Sequence, residues 1–273
     1  VRRRGLDFCE GALLLEAGTR IGPVQAALAI AGGYRHLPVR RRPRVAVLET
    51  GDELSPDDER CAPDRVPATN GAMLAALLAE VPTIIRRTGP ITDDREALIE
   101  ALGDAGEADL IVTSGDASIS DRDLVDPALD AVNARPAFWL DTFGPGMPLL
   151  VAARANGARR QIIIGLPGNP APAFVGAFLF VLPLVRAMLG APDPLPLPVR
   201  TRLAVPVAAG GDRRAFLRAH WDGAVARPLA LQDSGVLTSL AASNALIDRP
   251  AGAPPADAGD EVCIYLLAGG GAL

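Results

Sequence analysis

The strongest constraint on this chain is its rhythm. Short apolar, β-branched runs alternate with helix-length amphipathic stretches, and each run stops at a polar turn containing glycine. The clearest runs are residues 44–49, 108–113 and 161–165, with helical patterns over residues 23–31, 69–80, 95–105 and 121–133. Strands separated by helices return to the same sheet edge and so lie parallel. The expectation is an α/β fold, a parallel sheet with helices on both faces in three layers. Ligands in such sheets bind beyond the carboxyl ends of the strands, where the polar turns of this chain fall.

The chain reads as three segments. Residues 1–43 hold one helical pattern and too few apolar positions to bury a core of their own. Residues 44–190 carry the strand–helix alternation. Residues 191–273 open on a proline-rich linker and continue as short strands separated by turns such as Gly210-Gly211-Asp212, which predicts a small β-barrel or sandwich. The stretch 171–189 is apolar enough to raise the question of a membrane span. Pro172, Pro183 and Arg186 interrupt it, leaving less than the roughly 18–20 uninterrupted apolar residues a span requires, so a buried helix is expected.

Composition narrows the function classes. A net charge of −5 speaks against nucleic acid as a partner. All 27 basic residues are arginine, so no lysine can act as a phosphate ligand or form a Schiff base. Cys9, Cys61 and Cys263 are odd in number and far apart, which predicts neither a disulfide framework nor a zinc site and suits a reducing cytoplasm.

The turns carry the chemistry. Thr50-Gly51-Asp52-Glu53-Leu54 sets side-chain oxygens at a strand tip, with a glycine that permits close approach of backbone. Ser114-Gly115-Asp116-Ala117-Ser118-Ile119-Ser120-Asp121-Arg122-Asp123 leads into a helix, whose free amides and dipole suit an anion. The carboxylates Asp116, Asp121 and Asp123 would repel that anion unless a divalent cation intervened. Gly165-Leu166-Pro167-Gly168-Asn169-Pro170 is a rigid strand-to-helix turn, with Asn169 as helix cap and Pro170 at the first helical position.

Taken in order, these turns resemble the molybdopterin molybdenumtransferase family, the MoeA-type proteins and the gephyrin E domain. The resemblance rests on Thr50 to Leu54, Thr69-Asn70, Asp93-Asp94, Ser114 to Asp123, Pro145-Gly146-Met147-Pro148 and Leu166 to Pro170, with Gly5 to Gly11, Phe216-Leu217-Arg218 and Ser239 to Ile247 at the two ends. It implies a three-layer parallel-sheet molybdopterin-binding domain over 44–190 and a C-terminal β-barrel over 191–273. Residues 1–43 would then be the remnant of the family's N-terminal region, and an upstream SxxDGYA-type segment is expected in a full-length member.

The resemblance further implies insertion of molybdate into adenylated molybdopterin with release of AMP, in a cytoplasmic homodimer that uses Mg2+. By position, Glu53, Asp93, Asp94 and Asp123 become the catalytic carboxylates, with Glu53, Asp94 and Asp123 toward metal. Thr50, Gly51, Asp52, Asn70, Ser114, Gly115, Ser118, Pro167, Gly168, Asn169 and Pro170 become the substrate contacts. Four positions depart from the family pattern: Asp116 and Ser120 replace glycines, and Gly144 and Met147 replace the lysines of a KPGKP stretch. These losses leave open an alternative, a non-catalytic relative that binds molybdopterin or a protein partner and keeps only the fold.

Overall fold

A computed structural model of the chain describes residues 3, 5–55, 63–115, 122–140, 148–157 and 159–267. Six strands form one sheet: β1 (Arg44–Thr50), β4 (Ile84–Ile91), β5 (Leu110–Ser114), β6 (Arg135–Leu140), β7 (Leu149–Asn156) and β8 (Arg159–Leu166), in the order β4-β1-β5-β8-β7-β6, while β2 (Leu54–Ser55) and β3 (Val66–Pro67) pair with each other alone. β1 pairs in parallel with β4 and β5, and β5 with β8. β7 pairs antiparallel with both β6 and β8, so the expected parallel sheet becomes a mixed one at this edge. The physical reason is local. β7 and β8 are joined by Gly157, at φ 61, and one further residue, and a connection that short can only reverse the chain.

Alternate side chains divide the core between the two faces. Val45, Val47, Leu110, Val112 and Ile164 pack against α2 (Asn70–Leu78) and the long apolar helix that follows β8. Ala46, Leu48, Ile111 and Ile163 pack against α3 (Arg95–Asp104) and α4 (Arg122–Ala131). Buried on both sides, these strands read in sequence as continuous apolar runs rather than alternating ones.

The long helix comprises α5 (Pro170–Gly176), a π-helical turn (Ala177–Val181) and α6 (Leu182–Met188). Pro183 supplies the cause of the π turn. Its ring would collide with the carbonyl four residues earlier, and widening the preceding turn relieves the clash. The helix is long and apolar enough to cross a membrane, yet 61% of its most apolar window is buried inside the protein. It is a core helix, as the interrupting prolines suggested.

After the linker, β9 (Pro198–Leu203), β10 (Ala215–Trp221), β11 (Val225–Pro228), β12 (Ala245–Arg249) and β13 (Glu261–Leu266) close a barrel in the order β10-β11-β9-β13-β12. The expectation of a barrel or sandwich is thereby settled as a barrel. Its interior is filled by Leu203, Ala219, Ala226, Ala245, Ile247 and Ile264. A short helix, α7 (Leu237–Ala242), precedes β12.

The first segment contributes α1 (Pro23–Ala31), of which only Ala29 is buried. An ion pair ties its trailing coil to the sheet. The Arg41 guanidinium makes two hydrogen bonds to the Asp109 carboxylate, which also accepts from the Arg44 amide at 2.8 Å. At the same end of the sheet, Arg154 donates to Gln161 Oε1 at 2.5 Å and to the Leu102 carbonyl at 2.7 Å, and Gln161 Nε2 donates to the Ala105 and Ala108 carbonyls. Those bonds satisfy carbonyls left over where α3 ends.

The hydrogen bonds from Arg41 hold the Asp109 carboxyl below its ordinary value of 3.8. A depressed native pKa adds stability that is present above the unfolded value and is lost as pH falls through the native one. Asp109→Asn is expected to cost about 1–2 kcal/mol at pH 7, seen as a Tm lower by roughly 3–6 °C. In thermal scans the gap from wild type should close as the pH is taken below 3.8.

Candidate functional site

Chain direction through the sheet places the site. From β1 the chain turns outward to β4, and from β5 it leaves by α4 toward β6 on the other side. The switch point therefore lies between the carboxyl ends of β1 and β5, where an open α/β sheet offers a crevice. Three loops meet there: the turn after β1, the start of α2, and the turn between β8 and α5.

One row of residues across the sheet makes this edge polar. Val47 pairs with Val112 and Val112 with Ile164; two residues further on, Glu49 pairs with Ser114 and Ser114 with Leu166. Positions 47 and 49 share a face, so Glu49 is carried inward beside α2, where it is 5% exposed. Its Oε1 accepts from the Asn70 amide at 2.9 Å and its Oε2 from the Gly71 amide at 2.8 Å. The carboxylate thus caps α2, whose own N-cap, Thr69, makes no side-chain cap bond. Thr69-Asn70, one of the motifs of the resemblance, heads the helix without supplying its cap, and Glu49 belongs to none of those motifs. The available signal was a carboxylate on the inward-facing register of an otherwise apolar strand.

Asn70 then bridges the turns. Its Nδ2 donates to Ser114 Oγ at 3.0 Å and to the Gly168 carbonyl at 2.6 Å, and Ser114 Oγ donates to the Pro167 carbonyl at 2.9 Å. Asn70, Ser114, Pro167 and Gly168, which the sequence proposed as separate contacts, form one connected network. Among the described residues, Thr50 Oγ1 and Asn70 Oδ1 are buried here with no hydrogen-bond partner, an arrangement that costs about 1–3 kcal/mol per group when nothing else satisfies it.

Backbone crowding explains the glycines. A Cβ at Gly115, whose φ is 148°, would lie 2.1 Å from Thr50 Oγ1 and 2.3 Å from the Thr50 carbonyl oxygen. Gly115 is therefore needed for contact between the tips of β1 and β5, and the approach of a phosphate is not required to account for it. A Cβ at Gly51, φ 154°, would lie 2.7 Å from the Glu53 carboxylate, so that side chain folds back over its own turn.

The acidic turns meet on the β4 side. The Asp93 amide donates to Asp52 Oδ1 at 3.1 Å and the Asp52 amide to Asp93 Oδ2 at 3.4 Å, while the Gly51 amide donates to the Ile91 carbonyl at 3.0 Å. Asp94 is turned the other way and caps α3 by accepting from the Ala97 amide at 3.0 Å. Glu53 is exposed. Asp123 lies in the first turn of α4, and its side chain is outside the described set. Ser118, with Asp116, Ser120 and Asp121, and residues 144–147 also lie outside the described residues. Among the described residues no three His, Cys, Asp or Glu side chains gather to hold a metal ion, so the described donors do not fit a protein-built Mg2+ cage.

The turn before α5 offers fewer amides than its sequence suggested. Asn169 is the N-cap and Pro170 the first helical residue, as expected. Pro170 and Pro172 have no N–H, the Ala171 amide donates to the Ser234 carbonyl at 3.1 Å, and the Ala173 amide to Asn169 O at 3.1 Å. Any anion contact from this turn is left to the amides of Gly168 and Asn169. The Ser234 contact also brings in the barrel. Arg218, 3% exposed, donates to the carbonyls of Asp233 at 2.8 Å and Val236 at 3.2 Å, and Ser239 Oγ donates to Leu231 O at 2.6 Å. These bonds fix the 229–236 loop against α5. Burial lowers the Arg218 pKa, partly offset by the charge of Asp233, and the two carbonyls satisfy its donors.

Comparison with known proteins agrees with this geometry. Residues 46–187 match a family described as "Probable molybdopterin binding domain", and residues 200–267 match the MoeA C-terminal region, domain IV. Molybdopterin molybdenumtransferase 2 of Mycobacterium tuberculosis is 31% identical over 276 residues, covering 98% of this chain and 67% of that protein. Molybdopterin molybdenumtransferase of Bacillus subtilis is 29% identical over 98% of this chain, which spans 62% of its length. The crystal structure of the molybdopterin biosynthesis MoeA protein from Pyrococcus horikosii superposes with a TM-score of 0.83 at 28% identity, covering 96% of this chain and 64% of that one.

Two glycine substitutions test the crowding account. Gly115→Ala is expected to cost at least about 2 kcal/mol in urea unfolding, since both φ and the contact with Thr50 are violated. Gly103→Ala, in α3 with nothing within 4 Å of the new methyl, should instead add about 0.5–1 kcal/mol.

Proposed function

The chain belongs to the MoeA-type molybdopterin molybdenumtransferase family, and from that premise we propose that it inserts molybdate into adenylated molybdopterin with release of AMP. Because the chain spans only about three fifths of its Bacillus relative, the activity is assigned to the site and not inherited from the whole relative. The observation that carries the reading is the pair of buried atoms without partners, Thr50 Oγ1 and Asn70 Oδ1, where the three turns meet. Asn70 Oδ1 can only accept, so it asks for an N–H or O–H donor. A pterin, with its ring N–H groups and exocyclic amino group, is such a donor.

In this reading the roles divide by chemistry. Thr50, Asn70, Ser114 and the Pro167-Gly168-Asn169-Pro170 turn orient the pterin. Gly51 and Gly115 keep the strand tips close enough for one ligand to touch both. Asp52, Glu53 and Asp93 form the acidic wall, which would meet molybdate and the anhydride that yields AMP only across a divalent cation, since bare carboxylates repel both anions. Asp94 supports the wall from the start of α3, and Ser118 and Asp123 are further contacts in this reading. The amides at the head of α2 are already committed to Glu49, so they take no part in holding the phosphate.

The same reading includes a homodimer. Leu6, Leu13, Val24, Ile30, Tyr34 and Val39 are all exposed around α1, and an apolar face of that kind calls for a cover. A reducing cytoplasm suits the free thiols of Cys9 and Cys263.

Incubating the purified chain with adenylated molybdopterin, molybdate and Mg2+ is expected to release AMP, measured by chromatography. Glu53→Gln should lower the rate by about a hundredfold while leaving the Tm within a degree or two. Binding of the adenylate without any AMP would overturn the transferase reading and favour the alternative of a non-catalytic binder.

A further inference from the structure

Glu49 has no part in the chemistry proposed above, yet more of the site's geometry is built around it than around any substrate contact described. Its two oxygens are taken by two successive amides, Asn70 at 2.9 Å and Gly71 at 2.8 Å. Only a carboxylate can accept from both. The surrounding chain is shaped to admit it. A Cβ at Gly71 would lie 2.6 Å from Glu49 Oε2, and one at Gly89 would lie 2.6 Å from the Glu49 carbonyl oxygen and 3.1 Å from its Cβ. Glycine on each side therefore leaves the space the side chain fills. Arg87 Nε lies 3.5 Å from the same Gly71 point, so a cation stands close to the carboxylate.

The consequence passes through Asn70. It is the first residue of α2, and anchoring its amide fixes the root of its side chain. That side chain spans to Ser114 Oγ and to the Gly168 carbonyl, whose turns leave from different strands. We infer that Glu49 is a positioning residue for Asn70, setting the spacing of the β5 and β8 turns without touching ligand. The effect on ligand rests on the function proposed above; the positioning itself does not.

Two readouts separate them. In the ligand-free full chain, Glu49→Gln keeps the shape but sets an NH2 group against one of the two amides. The Asn70 side-chain amide is then expected to shift in 15N–1H spectra and to exchange with water at least about tenfold faster. Affinity for molybdopterin, measured by calorimetry, should weaken about tenfold, the worth of one hydrogen bond. In an Asn70→Ala background, Glu49→Gln should change that affinity less than twofold. Gly71→Ala, which crowds Oε2 while retaining the carboxylate, should reproduce the Asn70 signature and serves if Glu49→Gln does not fold. An unmoved Asn70 resonance in both variants, or fully additive losses of affinity, overturns the inference. A responsive resonance in a chain that does not bind molybdopterin upholds the positioning and removes the proposed function.

Discussion

Ends of buried parallel strands must leave the apolar interior without stranding their polar groups, and in this protein the Asn70 amide manages that transition. Through Ser114 and the Gly168 carbonyl it joins the β5 and β8 turns, and through its own backbone it is tied to Glu49 on β1. The row Val47–Val112–Ile164 is core, and the next row on the same face, Glu49–Ser114–Leu166, is largely hydrogen-bonded. A slip of one residue along β1 would turn Glu49 toward the α3 face and leave its charge among Leu98, Leu102 and Ile111. Register and site are for this reason one constraint.

Close contact of backbone is the second requirement. Gly115 against Thr50, and Gly71 and Gly89 on either side of Glu49, have no room for a Cβ. Gly115 sits in a turn that invites a ligand-binding interpretation, yet all three glycines serve the protein's own packing. The amides that helix starts ordinarily hold out to anions are likewise spent internally, by Glu49 at α2 and by Ser234 and proline at α5. What remains at the crevice is rich in acceptors: Asp52, Glu53, Asp93 and the oxygens of Thr50 and Asn70. Such a surface selects the donor groups of a heterocycle more readily than bare phosphate.

The barrel takes part in this site through its 229–236 loop. Arg218 is buried and donates to two carbonyls of that loop, whose Ser234 carbonyl in turn accepts from the Ala171 amide. A buried guanidinium must be satisfied by something, and using main-chain oxygens makes the loop's shape depend on it. In this way the position of α5 is set from both the sheet and the barrel.

Much of this was legible in the residues alone. Continuous apolar runs alternating with amphipathic stretches specify buried strands and covering helices, because burial on both faces leaves no polar alternation. Spaced turn signals after the proline-rich linker specified a small β domain, and the ordered turns pointed to the family. The antiparallel β7 was not legible, since its direction follows from a two-residue connection and not from its own composition. Nor was the exposed edge strand β4, whose Arg86 and Arg87 break the apolar pattern that marked its neighbours. The network of Glu49, Asn70, Ser114 and Gly168 joins positions up to 98 residues apart, and local sequence carries no record of which distant groups a hydrogen bond will join. Sequence alone determined the buried strands, their covering helices and the glycine turns between them. Only the tertiary structure decided which residues at the strand ends, like Gly115, Asp94 and Glu49, are already engaged by the protein itself.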